Sequence, residues 1–234
     1  MKTPAILLLS LATILPVASL RAQSHTYPPV RDYLMPQDAE IALARSAAPD
    51  TVSTRATVKI LTTSGFKVAA QGDNGFVCLV LRGWSAPTFT PAPFRDLVYD
   101  AKVRAPICFD PVASRTVLPL QELRTQLALQ GKDPDEIAHG VTEAYALGKL
   151  PKMEGVSFAY MWSADMYLAS GVGAFHPHIM VYAPYYDNAT LGANPFGGMA
   201  PFVSDDAGTP FAVVVIPVHG NEAIHAKPVR TGKL

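Results

Sequence analysis

Residues 76–82, FVCLVLR, are apolar on both faces of an extended chain: Phe76, Cys78 and Val80 alternate with Val77, Leu79 and Leu81. Side chains of a strand point alternately to opposite faces, so such a run must be covered on both sides and takes a central place in a sheet. Cys78 is then buried and its partner must come to it. The second of the two cysteines is Cys108.

The N-terminus sets the redox setting of that pair. Met1 and Lys2 make a short positive start, residues 5–18 are apolar apart from Ser10, Thr13 and Pro16, and Ala22 offers a small residue for cleavage. This is the pattern of a secretory signal peptide over residues 1–22. The apolar run is shorter than the roughly 20 residues a bilayer requires, so no transmembrane anchor is expected after cleavage. In an oxidising compartment an even cysteine pair reads first as a disulfide, with two buried thiols as the alternative; the spacing fits no zinc motif. Closing a loop of about 31 residues is worth roughly 3–4 kcal/mol in the chain-entropy account.

Loss of Lys2 and Arg21 leaves 17 of the 19 basic residues against 19 acidic ones, a formal charge of −2. Nucleic acid and anionic membrane surfaces gain no electrostatic support as partners. A mature chain of about 212 residues suits one sizeable core. The expected organisation is an extended segment over residues 23–35, one globular domain over 36–220 and a flexible tail over 221–234.

Local patterns give the element order. Pro36, Asp38 and Glu40 followed by Ile41, Leu43, Ala44 and Ala47 predict a short N-terminal helix over residues 36–47. Residues 57–62, 66–70 and 76–82 read as three strands; the Gly-Asp-Asn-Gly separator at 72–75 suits a tight hairpin, giving a three-stranded antiparallel meander. The proline-rich stretch between Ser85 and Pro106 predicts a loop. A helical pair follows. Residues 118–130 carry Leu120, Leu123 and Leu127 and stop at Gly131; Asp133, Pro134 and Glu136 then open a helix with Ile137, Val141, Ala144 and Tyr145 on its buried face and His139 in solvent. Residues 156–162 read as a strand, 165–169 as a helical turn, 185–210 as a long loop, and 211–218, FAVVVIPV, as a central strand. Strands and helices segregate rather than alternate, which predicts an α+β fold on an antiparallel or mixed sheet.

Candidate chemistry gathers at residues 175–187, FHPHIMVYAPYYD. On a strand His176, His178, Met180 and Tyr182 share one face, so two imidazoles one residue apart can reach a single divalent ion such as zinc. A third ligand is needed, and His219, just beyond the last strand, is the first candidate, followed by Glu222, His225 and Asp187. The bland alternative is that His176 and His178 hydrogen-bond within a polar sheet face. Tyr182, Tyr185 and Tyr186, with Tyr160 and Trp162 upstream, could wall a small-molecule site, core packing being the competing account. A cupin is excluded because Tyr182 and Ala183 stand where its glutamate would follow. No G-x-S-x-G elbow, phosphate-binding loop or dinucleotide fingerprint is present. Asn188–Ala189–Thr190 matches a glycosylation sequon, a short pattern common by chance.

GDNGFVCLV at 72–80, RAPICFDP at 104–111, the helical pair opened by Val117-Leu118-Pro119, SFAYMWS at 157–163 and FHPHIMVYAP at 175–184 together resemble a group of secreted bacterial proteins of unassigned function. The resemblance spans residues 36–218. It implies export and a paired-cysteine framework, carries no activity or ligand, and favours His178 over His176, since more distant look-alikes keep the Pro-His without the earlier histidine. The expectation is an exported protein that binds a small molecule or metal at the His178 strand. The alternatives are a metal-assisted hydrolase on the same histidines with Glu222 or Asp187 as base, and an envelope protein without a small-molecule site.

Overall fold

The computed structural model describes residues 27–85, 99–153, 155–168, 177–193, 200–203 and 206–218. The expected leader over 1–22, the expected tail over 221–234 and the histidines at 176 and 219 lie outside them. After a 3-10 turn at Val30–Tyr33 come helix α1 (Gln37–Arg45), a single helical turn α2 (Asp50–Ser53) and strands β1 (Thr57–Thr62), β2 (Gly65–Ala70) and β3 (Val77–Leu81). Strand β4 (Ala105–Phe109) leads into helices α3 (Ala113–Thr116), α4 (Leu118–Leu129) and α5 (Pro134–Ala146). Strands β5 (Ser157–Met161) and β6 (His178–Tyr182), helix α6 (Asn188–Leu191) and strands β7 (Phe202–Val203) and β8 (Val213–Pro217) complete the chain.

The fold is α+β, around one eight-stranded mixed sheet in the order β2-β1-β3-β4-β5-β6-β8-β7. Every neighbouring pair is antiparallel except β1 and β3. Strand β3 lies inside the sheet and is apolar on both faces because each face has its own cover. Cys78 and Val80 pack beneath α1 with Val58 and Cys108, while Leu79 and Leu81 pack on the other side with Ile107, Phe109, Val117 and Leu118. Where α1 meets the sheet it presents Ala44, with Ala47 and Ala48 just beyond its end, small side chains that let the helix sit close. Cys78 and Cys108 stand directly opposite one another in the β3–β4 register and form the disulfide.

The antiparallel meander expected over the first three strands is not what forms. Strands β1 and β2 make a hairpin, but β3 pairs with β1 rather than β2, in parallel, so the 72–75 turn is no hairpin. The linker crosses the start of β1 instead: Asp73 N donates to Arg55 O at 3.0 Å, Asn74 Nδ2 to Val52 O at 2.8 Å, and Thr57 N to Phe76 O at 2.9 Å. A Cβ on Gly72 would stand 2.2 Å from Arg55 O, so only glycine allows this crossing.

Three other expectations change. The segment predicted as loop ends earlier than expected, because residues 105–109 form β4, fully buried. The 165–169 stretch bridges Tyr167 to Arg104 instead of making a helical turn, Ala169 lying outside the described residues. The 185–210 loop contains α6 and β7, so β8 lies second from the sheet edge rather than centrally. Its apolarity serves two covers, the main core through Val213 and a smaller cluster of Val214, Val203 and Ala212. The helical pair follows its start and stop signals closely: Asp133 Oδ1 accepts from Glu136 N at 2.8 Å and Glu136 Oε2 from Asp133 N at 2.9 Å, a reciprocal cap. Among the described residues no helix is long and apolar enough to cross a membrane.

Candidate functional site

Strand β6 is held between β5 and β8, with His178 opposite Met161 and Pro217. His178 is buried, and Met180 and Tyr182 follow on its face as alternation requires. Among the described residues no three His, Cys, Asp or Glu side chains are grouped to hold a metal. Asp187, a proposed base, caps α6 by accepting from Thr190 N at 2.6 Å, and that hydrogen bond holds its carboxyl below the usual range.

The tyrosines of this stretch divide between two environments. Tyr182 is buried in the main core beside Phe109, ring centroids 6.3 Å apart. Burial and then Asp110 push its hydroxyl pKa up, with Arg124 acting the other way. Tyr185 and Tyr186 lie exposed beyond the strand, and Tyr185 takes a left-handed φ of 66° while its N–H donates to Thr209 O. Tyr160 and Trp162 project to the opposite face of the sheet, packing edge to face with centroids 5.0 Å apart. The amide of Asn188 is bonded to β7, donating to Val203 O at 3.0 Å and accepting from Val203 N at 2.8 Å.

Helix α4 shows a feature the leucine spacing concealed. Leu120 is buried as its spacing predicts, but Leu123 and Leu127 are only partly buried and pack with α5 residues Val141 and Ile137, whereas the polar Gln121, Arg124 and Thr125 are buried along with Leu118, Leu120 and Ala128. Arg124 Nη1 donates to Ser85 O at 3.3 Å and Nη2 lies 3.9 Å from Asp206 Oδ2. Burial lowers the guanidinium pKa and Asp206 opposes the shift. This buried pair ties the segment ahead of β8 to α4. Apolar periodicity cannot reveal it, because that reading assigns polar positions to solvent.

At the end of α4 a cavity of about 300 Å³ opens between the N-terminal segment and the helix. Four aromatic rings line it, Tyr27, Tyr33, Trp84 and Tyr99, together with Pro28 and Pro29. Tyr27 and Tyr99 stack at 3.5 Å between centroids, and Tyr33 tilts against Trp84 at 4.6 Å. Their polar atoms are held in place: Tyr33 Oη donates to Tyr99 O at 2.8 Å, Tyr99 Oη to Lys132 O, and Trp84 Nε1 to Thr125 Oγ1 at 3.0 Å.

The cavity floor follows from how α4 ends. Gly131, at φ 76°, lets Gly131 N bond Ala128 O and Lys132 N bond Leu127 O, the paired closure of a left-handed helix cap. The C-terminal turn, through Ala128, Leu129 and Gly131, thereby faces the rings. The wall is anchored from beneath: Arg82 Nε donates to Tyr33 O at 2.9 Å, and Arg82 Nη2 to the buried Glu40 Oε1 at 2.9 Å. Burial and neighbouring carboxylates raise the pKa of all three tyrosines, Asp133 and Glu136 acting on Tyr27 and Tyr99, Asp100 and Asp32 on Tyr33.

Sequence reading passed over these residues because they come from stretches far apart in the chain. A partial signal is the Tyr-Pro-Pro at 27–29, within the segment the sequence predicts to be extended. The chain matches no protein family, no curated protein and no solved structure.

Proposed function

We propose that the protein is an exported, disulfide-clamped binding protein, and that its small-molecule site is the aromatic cavity between residues 27–33 and the end of α4. One observation carries this reading: four aromatic side chains, three of them with polar atoms already committed to intramolecular bonds, line a single cavity of about 300 Å³. That size lies at the small end for ligand sites, which combine mostly apolar walls with few polar groups. Fixed rings bind without a large ordering cost. The export pattern at 1–22 and the Cys78–Cys108 bridge support the exported part of this reading, since disulfides persist outside the reducing cytoplasm. The test is fragment screening by NMR on the mature chain, following the Trp84 indole N–H. Several fragments are expected to shift it, and Ala128→Phe, which fills the cavity, is expected to abolish those shifts. Fragments that move only resonances remote from the cavity would sink the proposal.

A divalent-metal site on His176, His178 and His219 is the second reading. It is favoured by register: Val218 N donates to Pro177 O at 2.9 Å, so the β6–β8 ladder reaches the chain neighbours of both outer histidines. Elemental analysis of the untagged mature protein after zinc reconstitution decides it, one ion per chain being the result required.

A further inference from the structure

The same cavity has an electrostatic character that narrows its ligand. We infer that it takes a small organic cation, of the quaternary or methylated ammonium class, held against the Tyr27, Tyr33, Trp84 and Tyr99 rings at the carbonyl end of α4. The inference rests on the cavity being the ligand site.

Three independent features point the same way. Aromatic rings attract cations through the negative potential over their faces, and tryptophan and tyrosine do so best. Here one tryptophan and three tyrosines line one space, Tyr27 offering the more accessible ring and the buried Tyr99, Tyr33 and Trp84 backing it. The second feature is the helix. Its dipole places partial negative charge at the C-terminus, and the last turn of the twelve-residue α4 borders the cavity through Ala128 and Leu129. The third is the local charge: Asp32, Asp100, Asp133 and Glu136 stand outside the lining but act electrostatically on its tyrosines.

Nearby cations only partly offset these acids. Lys132 Nζ bonds Glu136 Oε1 at 2.6 Å, and Arg31 Nε lies 3.6 Å from Asp32 Oδ1. Arg104 feels Asp100 but directs Nη1 to the carbonyls of Ala101 and Val103. The carboxylates of Asp100 and Asp133 accept from the backbone amides of Lys102 and Glu136. Such bonds orient a carboxylate without cancelling its charge. An anionic ligand would face the negative end of a helix dipole with carboxylates just beyond the lining, whereas a compact cation with an apolar surface suits rings, dipole and charge at once. Strongly hydrated cations such as an inorganic ion or a primary ammonium would lose more water than the rings return.

Calorimetric titration of the mature chain with choline and with 3,3-dimethylbutan-1-ol, its neutral carbon isostere, tests this. Choline is expected to bind about tenfold more tightly than the alcohol, the contrast that cation–ring attraction supplies in a desolvated site. Tyr27→Leu keeps an apolar wall but removes a ring, and should weaken choline several-fold with the alcohol unchanged; Tyr27→Phe should retain choline. Equal or tighter binding of the alcohol overturns the cation assignment and leaves the binding function standing. Equal losses for both ligands in Tyr27→Leu, at an unchanged melting temperature, also overturn it. If neither compound binds at millimolar concentration while other fragments shift the Trp84 resonance, the cation assignment falls alone. If nothing shifts that resonance, both proposals fall.

Discussion

Glu40 and Arg82 meet in the interior with no solvent at either side chain: Arg82 Nη2 donates to Glu40 Oε1 at 2.9 Å, and both side chains are 0% exposed. Glu40 Oε1 also accepts from Leu61 N at 3.1 Å, and Arg82 reaches the carbonyls of Tyr33 and Val80. One ion pair thus joins α1, β1, the end of β3 and the cavity wall. Burial dominates the arginine and lowers its pKa to about 10, against the opposing pull of Glu40.

Removing one partner strands the other charge, which costs about 3–5 kcal/mol for a buried pair. Glu40→Ala is therefore expected to lower unfolding stability by that amount in urea. The double variant Glu40→Leu/Arg82→Met should recover much of it, since apolar side chains of similar volume carry no desolvation cost. A double variant no more stable than Glu40→Ala would show that the arginine bonds to Tyr33 and Val80 matter more than the pair.

The disulfide predicts resistance and then loss. Cys78 and Cys108 are both 0% exposed beneath α1. Mass spectrometry after thiol reductant and alkylation is expected to find no modified cysteine in the native protein and two once denaturant is added. Replacing both by serine should cost roughly 3–4 kcal/mol from loop closure, with a further penalty for two buried hydroxyls.

Two glycines separate close approach from backbone freedom. Gly72→Ala brings a methyl within 2.3 Å of the Ala56 and Thr57 backbone, and the β1 crossing must move. A loss of about 3 kcal/mol is expected from such overpacking. Gly148→Ala meets nothing within 4 Å and suffers only its φ of 69°, so a loss nearer 1 kcal/mol is expected. Thermal melts of the two variants in parallel check the ranking.

The cap of α5 sets a pH dependence. Bonds from Lys132 and from the Asp133 amide depress the Glu136 pKa below its ordinary 4.5. A depressed acid stabilises the fold above its unfolded pKa and loses that contribution as pH falls through the lower folded value. Melting temperature should therefore decline as pH drops below about 4.5, and Glu136→Gln, which has no charge to lose, should show a shallower decline. An unchanged slope in that variant would assign the acid sensitivity elsewhere.

Much of the local structure was legible because short-range physics specifies it. Proline and acids at the start of α1, the reciprocal cap of Asp133 and Glu136, Gly131 as a left-handed stop, and the two-sided apolarity of β3 each involve residues within a few positions of one another. The cysteine pair followed from burial of one partner together with the export pattern read at the N-terminus. Strand β4 escaped because Pro106 and the proline-rich stretch before it masked its extended pattern, although Val80 opposite Pro106 and Cys78 opposite Cys108 hold it in the ladder.

What only the tertiary structure decided is which elements meet. That β3 joins β1 rather than β2 depends on Gly72 allowing one backbone to pass another. That α4 turns Arg124 inward depends on α5 taking its leucines and on Asp206 arriving from the far end of the chain. The aromatic cavity needs Tyr27, Tyr33, Trp84, Tyr99 and Gly131 together, residues spread over some hundred positions. Periodicity and capping act over a turn or a strand, whereas a site is made by packing, and packing brings together residues that share no local pattern.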